Sequence, residues 1–277
     1  MGIRDVLPSD LFAGRVAFVT GGGSGINLGI ARTFAELGAD LGICGRTQER
    51  LDVARLELEE LGARVVARTA DVRDAAALTD AMAATRDALG PIAILVCGAA
   101  GNFPCPAERL SPNGFKAVVD IDLLGSFNAC HAAFEQLRET RGSILFISAG
   151  QAFTPYAAQS HVGAAKAGVD NLMRNLALEW GRYGIRANSI APGPIADTEG
   201  MRRLAVGDDE LHRRLQHAIP LGRYGTVEDI GAAAAFLASP LAAYVTGTLL
   251  VVDGGQNLPG SGPFNAMLAE AMARGGD

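Results

Sequence analysis

The sequence predicts an α/β fold in which a doubly wound parallel sheet of seven strands is covered by helices on both faces, within a single domain. Short apolar runs rich in β-branched residues alternate with segments of helical length almost to the end of the chain. The runs are apolar at consecutive positions, which is typical of parallel strands that are buried on both faces. No break in composition divides the chain, so the alternation belongs to one domain.

The predicted strands and helices follow one another in a regular order. The strands are the apolar runs 16–20, 41–45, 65–67, 92–96, 144–147, 185–190 and 249–252. The helices are amphipathic segments at 49–61, 75–89, 164–180 and 227–237, with one more that opens directly after the first strand. We assign residues 1–277 to this domain and treat 258–277, a Gly- and Pro-rich start followed by a short helical patch, as a C-terminal tail.

The composition excludes several classes of protein. Of the 277 residues, 49% are apolar and 19% are charged, which is enough for a large core and argues against disorder. Thirty acidic residues against 24 basic ones leave a net charge of −6, so we expect no nucleic-acid partner. The chain contains no apolar run of about 18 residues, and we therefore expect no membrane span.

The cysteines and the two chain ends predict a cellular location. The four cysteines form no Cys-x-x-Cys pair, and we assign no residue to a metal site. Cysteines in predicted buried strands are typical of free thiols in a reducing compartment. The first residues lack the apolar stretch of a secretory signal, and the last residues are not a Ser-Lys-Leu address. We expect a cytoplasmic protein.

A glycine-rich loop follows the first strand and opens a helix. Residues 20–26 read Thr-Gly-Gly-Gly-Ser-Gly-Ile, and the glycines permit a tight turn with close approach to a ligand. The helix N-terminus offers free N–H groups and a positive dipole end to a pyrophosphate. An ordinary strand-to-helix turn is the alternative, but the surrounding βαβ pattern favours a Rossmann dinucleotide site. The predicted cofactor contacts from this loop are Gly21, Gly23, Ser24, Gly25 and Ile26.

The ends of the second and third strands predict which dinucleotide binds. An acidic residue after the second strand would bind a ribose 2′-hydroxyl, but this chain has Arg46, whose guanidinium suits a 2′-phosphate. NADP(H) is therefore favoured over NAD(H), with a solvated surface arginine as the alternative. Asp71 and Val72 end the third strand, where the Asp71 carboxylate is placed to accept from the adenine amino group. A helix N-cap is the alternative for Asp71, although Asp74 is better placed for that role.

From residue 15 to residue 255 the chain resembles the short-chain dehydrogenase/reductase family. The resemblance rests on the glycine-rich loop, Asp71-Val72, residues 97–101, Lys166, residues 192–194 and residues 252–255. It implies that Lys166 binds the nicotinamide ribose. The further cofactor contacts that it implies are Cys97, Ala99, Pro192, Gly193, Ile195 and Thr198.

The departures from that family concern the acid–base residues. Family members carry Tyr-x-x-x-Lys, but Val162 stands four residues before Lys166, and valine cannot transfer a proton. Ala149 takes the place of the assisting serine, and Asp122 that of the helix asparagine. The last glycine of the loop is Asn27. Ketone–alcohol chemistry by the usual four residues is therefore not expected.

This pattern of losses is similar to one branch of the family, the 2,4-dienoyl-CoA reductases, in particular the peroxisomal type. The resemblance implies NADPH-dependent reduction of 2,4-dienoyl-CoA thioesters to 3-enoyl-CoA in unsaturated fatty-acid degradation. It also implies Asp122 and Lys166 as the catalytic pair and a homotetramer. Alternatives from the residues alone are a helix-surface acid or a backbone acceptor for Asp122, and a surface lysine for Lys166.

The same resemblance implies a binding site for the acyl-CoA thioester. Arginines near the nucleotide site would contact the phosphates of CoA, and an aromatic side chain would line the acyl or pantetheine path. The candidates are Arg73, Phe103, Ser111, Asn113 and Arg203. The alternatives are solvated surface charges for the two arginines, a core aromatic for Phe103, and turn residues for Ser111 and Asn113. Residues 198–217 resemble the substrate lid of the family.

Two rival functions remain open at this point. The first is a reductase or dehydrogenase that acts on another acyl-CoA or on a carbonyl, with Tyr156 or water as the acid. The second is a non-catalytic NADP(H)-binding sensor or scaffold, which the missing tyrosine and serine favour and the retained Lys166 opposes. His161 is a further candidate acid, although a structural or capping role fits it better.

Overall fold

In the computed structural model, which describes residues 2–196, 198, 213–214, 216–258 and 262, one parallel sheet runs through the molecule. Its seven strands stand in the order β3-β2-β1-β4-β5-β6-β7. The strands are β1 Val16–Thr20, β2 Asp40–Gly45, β3 Val65–Thr69, β4 Ile92–Cys97, β5 Ser143–Ile147, β6 Arg186–Pro192 and β7 Leu249–Val252. The predicted doubly wound parallel sheet is therefore confirmed.

The helices lie on both faces of this sheet. They are α1 Gly25–Glu36, α2 Gln48–Glu60, α3 Ala75–Leu89, α4 Pro112–Val119, α5 Gly125–Thr140, α6 Ser160–Trp180 and α7 Val227–Ala238. A π-helical turn, Asp120–Leu124, joins α4 to α5. One core, with Phe34 of α1 and Ile230 of α7, packs on one face, and a second core, with Met82 of α3 and Met173 of α6, packs on the other. Burial of both faces explains why the strands are apolar at consecutive positions.

The strand order creates a crevice at the carboxyl ends of two central strands. β1 pairs with β2 on one side and with β4 on the other, so that Thr20 lies beside both Cys44 and Cys97. The chain leaves β1 towards one edge of the sheet and leaves β4 towards the other edge. The loops that follow these strands diverge as a result, which is where open α/β sheets bind ligands.

Several element ends differ from the sequence-based bounds. β3 extends to Thr69 because Arg68 and Thr69 pair with β2 although their side chains are exposed. α6 begins at Ser160, four residues earlier than predicted, and its first turn buries His161. The sequence pattern did not provide bounds for α4, the π-helical turn or α5. The predicted tail, 258–277, lies outside the described residues apart from Leu258 and Gly262.

Candidate active site

A cleft of about 310 Å³ opens at the carboxyl ends of β1, β2 and β4. The predicted cofactor residues that line it are Gly21, Gly23, Ser24, Arg46, Asp71, Val72 and Ala99. Gly21 and Gly25 have φ values of +69° and +58°, a left-handed conformation that favours glycine. Ser24 precedes α1 without a side-chain cap, so the first N–H groups of the helix, including those of Gly25 and Ile26, are available to an anion.

Asn27 joins the loops that follow β1 and β4. Its side-chain Nδ2 donates to the carbonyl oxygen of Gly98 at 2.8 Å and, more weakly, to that of Gly21 at 3.4 Å. Thr20 Oγ1 accepts from the backbone N–H groups of Gly98 and Ala99 at 3.0 and 3.2 Å. A Cβ on Gly98 would collide with the Asn27 amide. Asn27 thus occupies space left free by a neighbouring glycine, a role that the sequence motif alone does not reveal.

Charged side chains surround the far end of the cleft. Arg46 and Arg50 line it, and Arg73 donates to both carboxylate oxygens of Asp71, with Nη2 at 2.6 Å from Oδ2 and Nε at 3.0 Å from Oδ1. The hydrogen bond from Arg73 lowers the pKa of Asp71, and the positive charge of Arg46 adds to the effect. Asp74, not Asp71, caps α3, as predicted. Sequence reasoning missed Arg50, although it lies four residues after Arg46, in the first turn of α2.

The catalytic candidates Asp122 and Lys166 form a buried ion pair. Lys166 Nζ lies 3.1 Å from Asp122 Oδ2 and donates to the carbonyl oxygen of Ile147 at 2.8 Å. Asp122 Oδ1 accepts from the backbone N–H of Gly101 at 2.7 Å. The two residues are 1% and 6% exposed, so neither is the surface residue that the sequence left open as an alternative.

The π-helical turn is the local feature that carries Asp122. The backbone N–H of Gly125 donates to the carbonyl oxygen of Asp120, five residues earlier, and Ser126 Oγ donates to the Asp122 carbonyl oxygen at 2.6 Å. A Cβ on Gly125 would meet Val72, so glycine is needed where this turn approaches the end of β3. Single π-helical turns inside helices are frequent at functional sites.

A second buried acid lies one turn further along α6. Asp170 Oδ2 accepts from Ser148 Oγ at 2.9 Å. Burial raises the pKa of Asp170, while the hydroxyl groups of Ser148 and Ser189 and the positive charges of Arg174 and Lys166 oppose that shift. Asp170 is thus held by Ser148, and it lies on the same helix that carries Lys166.

The position of the family tyrosine is apolar, and the two other candidate acids make contacts elsewhere. Val162 is buried and packs with Val118 and Ala165. The Tyr156 hydroxyl donates to Asn257 Oδ1 at 3.1 Å, and burial, reinforced by Asp253, raises the pKa of Tyr156. His161 is fully buried, and its Nε2 lies 2.9 Å from the carbonyl oxygen of Phe103.

Two of the predicted substrate residues meet at Gly114, where a Cβ would lie 3.4 Å from the Phe103 ring and 3.2 Å from Ser111 Oγ. Phe103 is 37% exposed and packs against the His161 ring. Ser111 is the N-cap of α4, with Oγ accepting from Gly114 N at 3.0 Å, and Asn113 lies exposed in the first turn of that helix. Arg203 and most of the predicted lid, 198–217, lie outside the described residues.

The remaining predicted cofactor residues lie at the ends of β4 and β6. The Cys97 thiol is buried 3.8 Å from that of Cys130. Pro192 ends β6, and Gly193 N donates to the Val252 carbonyl oxygen at 2.9 Å. Gly193 and Ile195 line a second cavity of about 150 Å³ rather than the first cleft. Thr198 Oγ1 donates to the Ile195 carbonyl oxygen at 2.8 Å.

The described residues form neither a metal-binding cluster nor a membrane-spanning helix. No group of three or more His, Cys, Asp or Glu side chains in this part of the chain is placed to hold a metal ion. None of its helices is long and apolar enough to cross a bilayer.

Comparison with known proteins identifies relatives over most of the chain. A family model described as "Enoyl-(Acyl carrier protein) reductase" matches residues 21–257. A peroxisomal 2,4-dienoyl-CoA reductase [(3E)-enoyl-CoA-producing] of Saccharomyces cerevisiae is 46% identical over 250 residues, which cover 89% of this chain and 85% of the relative. A probable 2,4-dienoyl-CoA reductase [(2E)-enoyl-CoA-producing] of Bacillus subtilis is 42% identical over 245 residues, which cover 87% and 96%.

A solved structure agrees with this result at the level of the fold. Levodione reductase superposes with a TM-score of 0.85 and is 33% identical, covering 90% of this chain and 99% of the other.

The expectation of a cytoplasmic protein was wrong. The relatives from Saccharomyces cerevisiae, Arabidopsis thaliana and Pongo abelii are named peroxisomal, which contradicts that expectation. Composition could not separate the two compartments, because peroxisomal import depends on an address that a receptor reads and not on the bulk properties of the chain.

Proposed function

The chain belongs to the short-chain dehydrogenase/reductase family, and on that premise we propose that this oxidoreductase uses NADPH to reduce 2,4-dienoyl-CoA thioesters to 3-enoyl-CoA in unsaturated fatty-acid degradation. The observation that carries the proposal is the buried pair of Asp122 and Lys166 beside a valine at the position of the family tyrosine. Relatives named 2,4-dienoyl-CoA reductase at 40–46% identity support it.

The cleft fits a dinucleotide with a 2′-phosphate. Uncapped N–H groups at the start of α1 suit the pyrophosphate, and Arg46 and Arg50 suit the extra phosphate group. Asp71 retains lone pairs for the adenine amino group although Arg73 occupies part of its carboxylate. When bound, NADPH supplies the hydride. The proposed preference for NADP(H) over NAD(H) rests on the two arginines.

The chemistry of a conjugated thioester explains why a tyrosine is dispensable. Hydride added to the far end of the diene places the developing charge on the thioester oxygen as a dienolate, and no alkoxide forms. What the site must supply is stabilisation of that charge and a proton for the carbon chain. A buried cation with a spare donor meets the first requirement better than a phenol does.

Lys166 has such a donor. An ammonium group carries three N–H bonds, of which one is directed to Ile147 and another faces Asp122. We assign the third to the nicotinamide ribose or to an ordered water, and in either case the positive charge of the ammonium group stabilises the thioester oxygen. Asp122 Oδ2 has no further hydrogen-bond partner among the described residues, so it can hold the water that delivers the proton.

The rival based on Tyr156 is not favoured. Its hydroxyl is already directed to Asn257, and its raised pKa makes it a weaker acid. The non-catalytic alternative is opposed by the buried ion pair, because two charges away from water are costly to maintain without a function.

We further propose that the acyl-CoA reductase is a homotetramer. Large apolar side chains are exposed on α5 and α6, at Phe127 and Leu178, and near the sheet edge formed by β7, at Tyr244 and Val251. Two such surfaces on one subunit fit an assembly with two kinds of interface. Sedimentation velocity of the purified protein measures the assembly directly.

The function is tested by following NADPH oxidation with 2,4-hexadienoyl-CoA, in parallel with crotonyl-CoA and acetoacetyl-CoA. We expect consumption with the dienoyl thioester alone, and analysis of the product locates its remaining double bond. Consumption only with acetoacetyl-CoA would assign the protein to carbonyl reduction. Binding of NADPH without turnover of any of the three would assign it to a non-catalytic role.

A further inference from the structure

His161 lies on the same helix as Lys166 but has no part in the reaction proposed above. It stands directly before Val162, and its side chain is fully buried. Its Nε2 lies 2.9 Å from the Phe103 carbonyl oxygen. Because a carbonyl oxygen can only accept, Nε2 carries the proton in this contact. Nδ1 has no hydrogen-bond partner among the described residues, so the polar contact of the ring is the one to Phe103.

The imidazole also packs against the same residue through its face. The ring centroids of His161 and Phe103 are 4.6 Å apart, with the planes tilted by 43°. Phe103 is therefore held twice, by its backbone oxygen and by its side chain. Two contacts to one residue restrict both the position of the loop and the orientation of its aromatic ring.

Phe103 belongs to the loop between β4 and α4, residues 98–111, which supports the catalytic carboxylate. Gly101 of this loop donates its N–H to Asp122 Oδ1 at 2.7 Å. Cys105 of the same loop donates its N–H to the Ala158 carbonyl oxygen at 2.9 Å. Ala158 has φ of +59°, an unfavourable conformation for a residue with a Cβ. The strain indicates that the contact between the two loops is maintained at a cost.

Together these contacts form a continuous series of interactions that includes the proposed reacting groups, Asp122 and Lys166. It runs from His161 to Phe103, through the loop to Gly101, across to Asp122, from there to Lys166, and back along α6. Removing the contact at Phe103 frees the loop next to Gly101. The Asp122 carboxylate would then lose the donor that holds Oδ1 and keeps Oδ2 directed at Lys166.

We propose that His161 is a positioning residue for the Asp122–Lys166 pair and acts through Phe103 and Gly101. The expected effect of His161 on turnover rests on the proposed function, whereas its expected effect on the rigidity of the loop 98–111 does not. The role requires one hydrogen-bond donor at the place of Nε2 and does not require Nδ1. Two substitutions of His161 therefore differ in their expected effect. Glutamine keeps a donor, because its amide nitrogen reaches the place of Nε2, whereas phenylalanine keeps an aromatic ring but has no donor.

The test compares His161→Phe with His161→Gln in the full-length protein. We expect His161→Phe to lower kcat for 2,4-hexadienoyl-CoA by about tenfold, the effect of one lost hydrogen bond, with NADPH affinity unchanged. His161→Gln should recover most of the loss. Hydrogen exchange at the amides of Gly101 and Cys105 should accelerate in His161→Phe and return towards the wild-type rate in His161→Gln.

Thr79 provides a control, since it is an exposed residue on α3 whose Oγ1 also donates to a backbone carbonyl oxygen, that of Ala75, at 2.8 Å. Thr79→Val should change neither readout. Wild-type kcat and wild-type exchange in His161→Phe would overturn the proposal, as would equal losses in the Phe and Gln variants. If the wild-type enzyme does not turn over the dienoyl thioester, the proposed function fails, while the exchange rates still decide the role of His161.

Discussion

Two opposite charges are buried at the centre of the site, and single residues decide whether they remain paired. Burial of an ion costs several kcal/mol, and a buried pair offsets this only with good geometry and additional hydrogen bonds. Asp122 and Lys166 have these from Gly101 and Ile147. Such a pair is weak evidence for stability, and its position between the cofactor cleft and the Phe103 loop is better explained by catalysis.

Replacing Asp122 with asparagine tests this charge with little change in shape. The amide oxygen can still accept from Gly101, but the negative charge beside Lys166 is lost. We expect Asp122→Asn to lower kcat by roughly a hundredfold or more, with KM for the thioester changed far less. Steady-state kinetics measure the separate effects on kcat and KM. The control is Asp120→Asn, which removes a carboxylate two residues before Asp122 that pairs with Lys116 instead of Lys166. Equal kcat values for the two variants would contradict the assignment.

Arg46 is predicted to select the cofactor by its charge. Arg46→Ser should weaken NADPH binding by about ten- to a hundredfold, because a charge-assisted hydrogen bond to a phosphate is lost, and leave NADH binding nearly unchanged. Fluorescence titration with both cofactors measures the ratio. Arg55→Ser removes an arginine that pairs with Glu59 on α2 and should affect neither. Similar losses for NADPH and NADH would assign Arg46 to a shared part of the cofactor.

Elements of the fold begin and end where side chains satisfy their free backbone groups. α7 begins after Thr226, whose Oγ1 accepts from Asp229 N at 3.3 Å, while Asp229 Oδ2 accepts from Thr226 N at 2.8 Å. This reciprocal capping box satisfies two of the free N–H groups at the helix start. Arg223 donates to the same carboxylate at 2.7 and 3.0 Å, and this lowers the pKa of Asp229.

The lowered pKa links the stability of this element to pH. A carboxyl group whose pKa is lower in the folded state stabilises the fold above its unfolded value, about 4 for aspartate. That contribution is lost as the pH falls through the folded pKa. We expect Asp229→Asn to melt below the wild type at pH 7, with the difference shrinking below about pH 4. Calorimetry across this range measures it, and a difference independent of pH would contradict the link.

At the scale of the whole molecule, helices from the two ends of the chain cover one face of the sheet together. α1 follows the first strand and α7 precedes the last, and their backbones approach closely at two glycines. A Cβ on Gly29 would overlap Val227, and one on Gly231 would collide with Thr33. The close packing of α1 against α7 thus requires glycine, without a Cβ, at positions 29 and 231.

Gly231→Ala should therefore destabilise the entire domain. Overpacking of this kind costs about 1–3 kcal/mol. Thr33→Ala in the same chain should restore part of the loss, because it removes the atoms nearest the new methyl group. Gly181→Ala is the control, since no described residue beyond its own chain neighbours lies within 4 Å of its Cβ position and its φ is −55°. Thermal unfolding of the three variants and the wild type measures the effect. A Gly231→Ala protein as stable as the Gly181→Ala protein would show that α1 and α7 can separate without cost.

The fold class, the seven strands and the glycine-rich loop could be predicted from the sequence alone. These features depend on local patterns, namely the apolar runs and the turn chemistry of Gly21 and Gly25. Asp122 and Lys166 could also be named from the sequence, because they occupy positions of a known motif. The start of α6 at Ser160 instead of residue 164 could not be predicted from the local pattern, because the contact of His161 with Phe103, 58 residues away, contributes to it.

Contacts between distant side chains could not be read from the sequence. The contacts of Asn27 with Gly98 and of His161 with Phe103 follow no sequence motif. Asn27 and Gly98 are 71 residues apart, and His161 and Phe103 are 58 apart. Such contacts arise because the parallel sheet brings the carboxyl ends of distant strands to one edge, and their geometry depends on how every intervening helix packs.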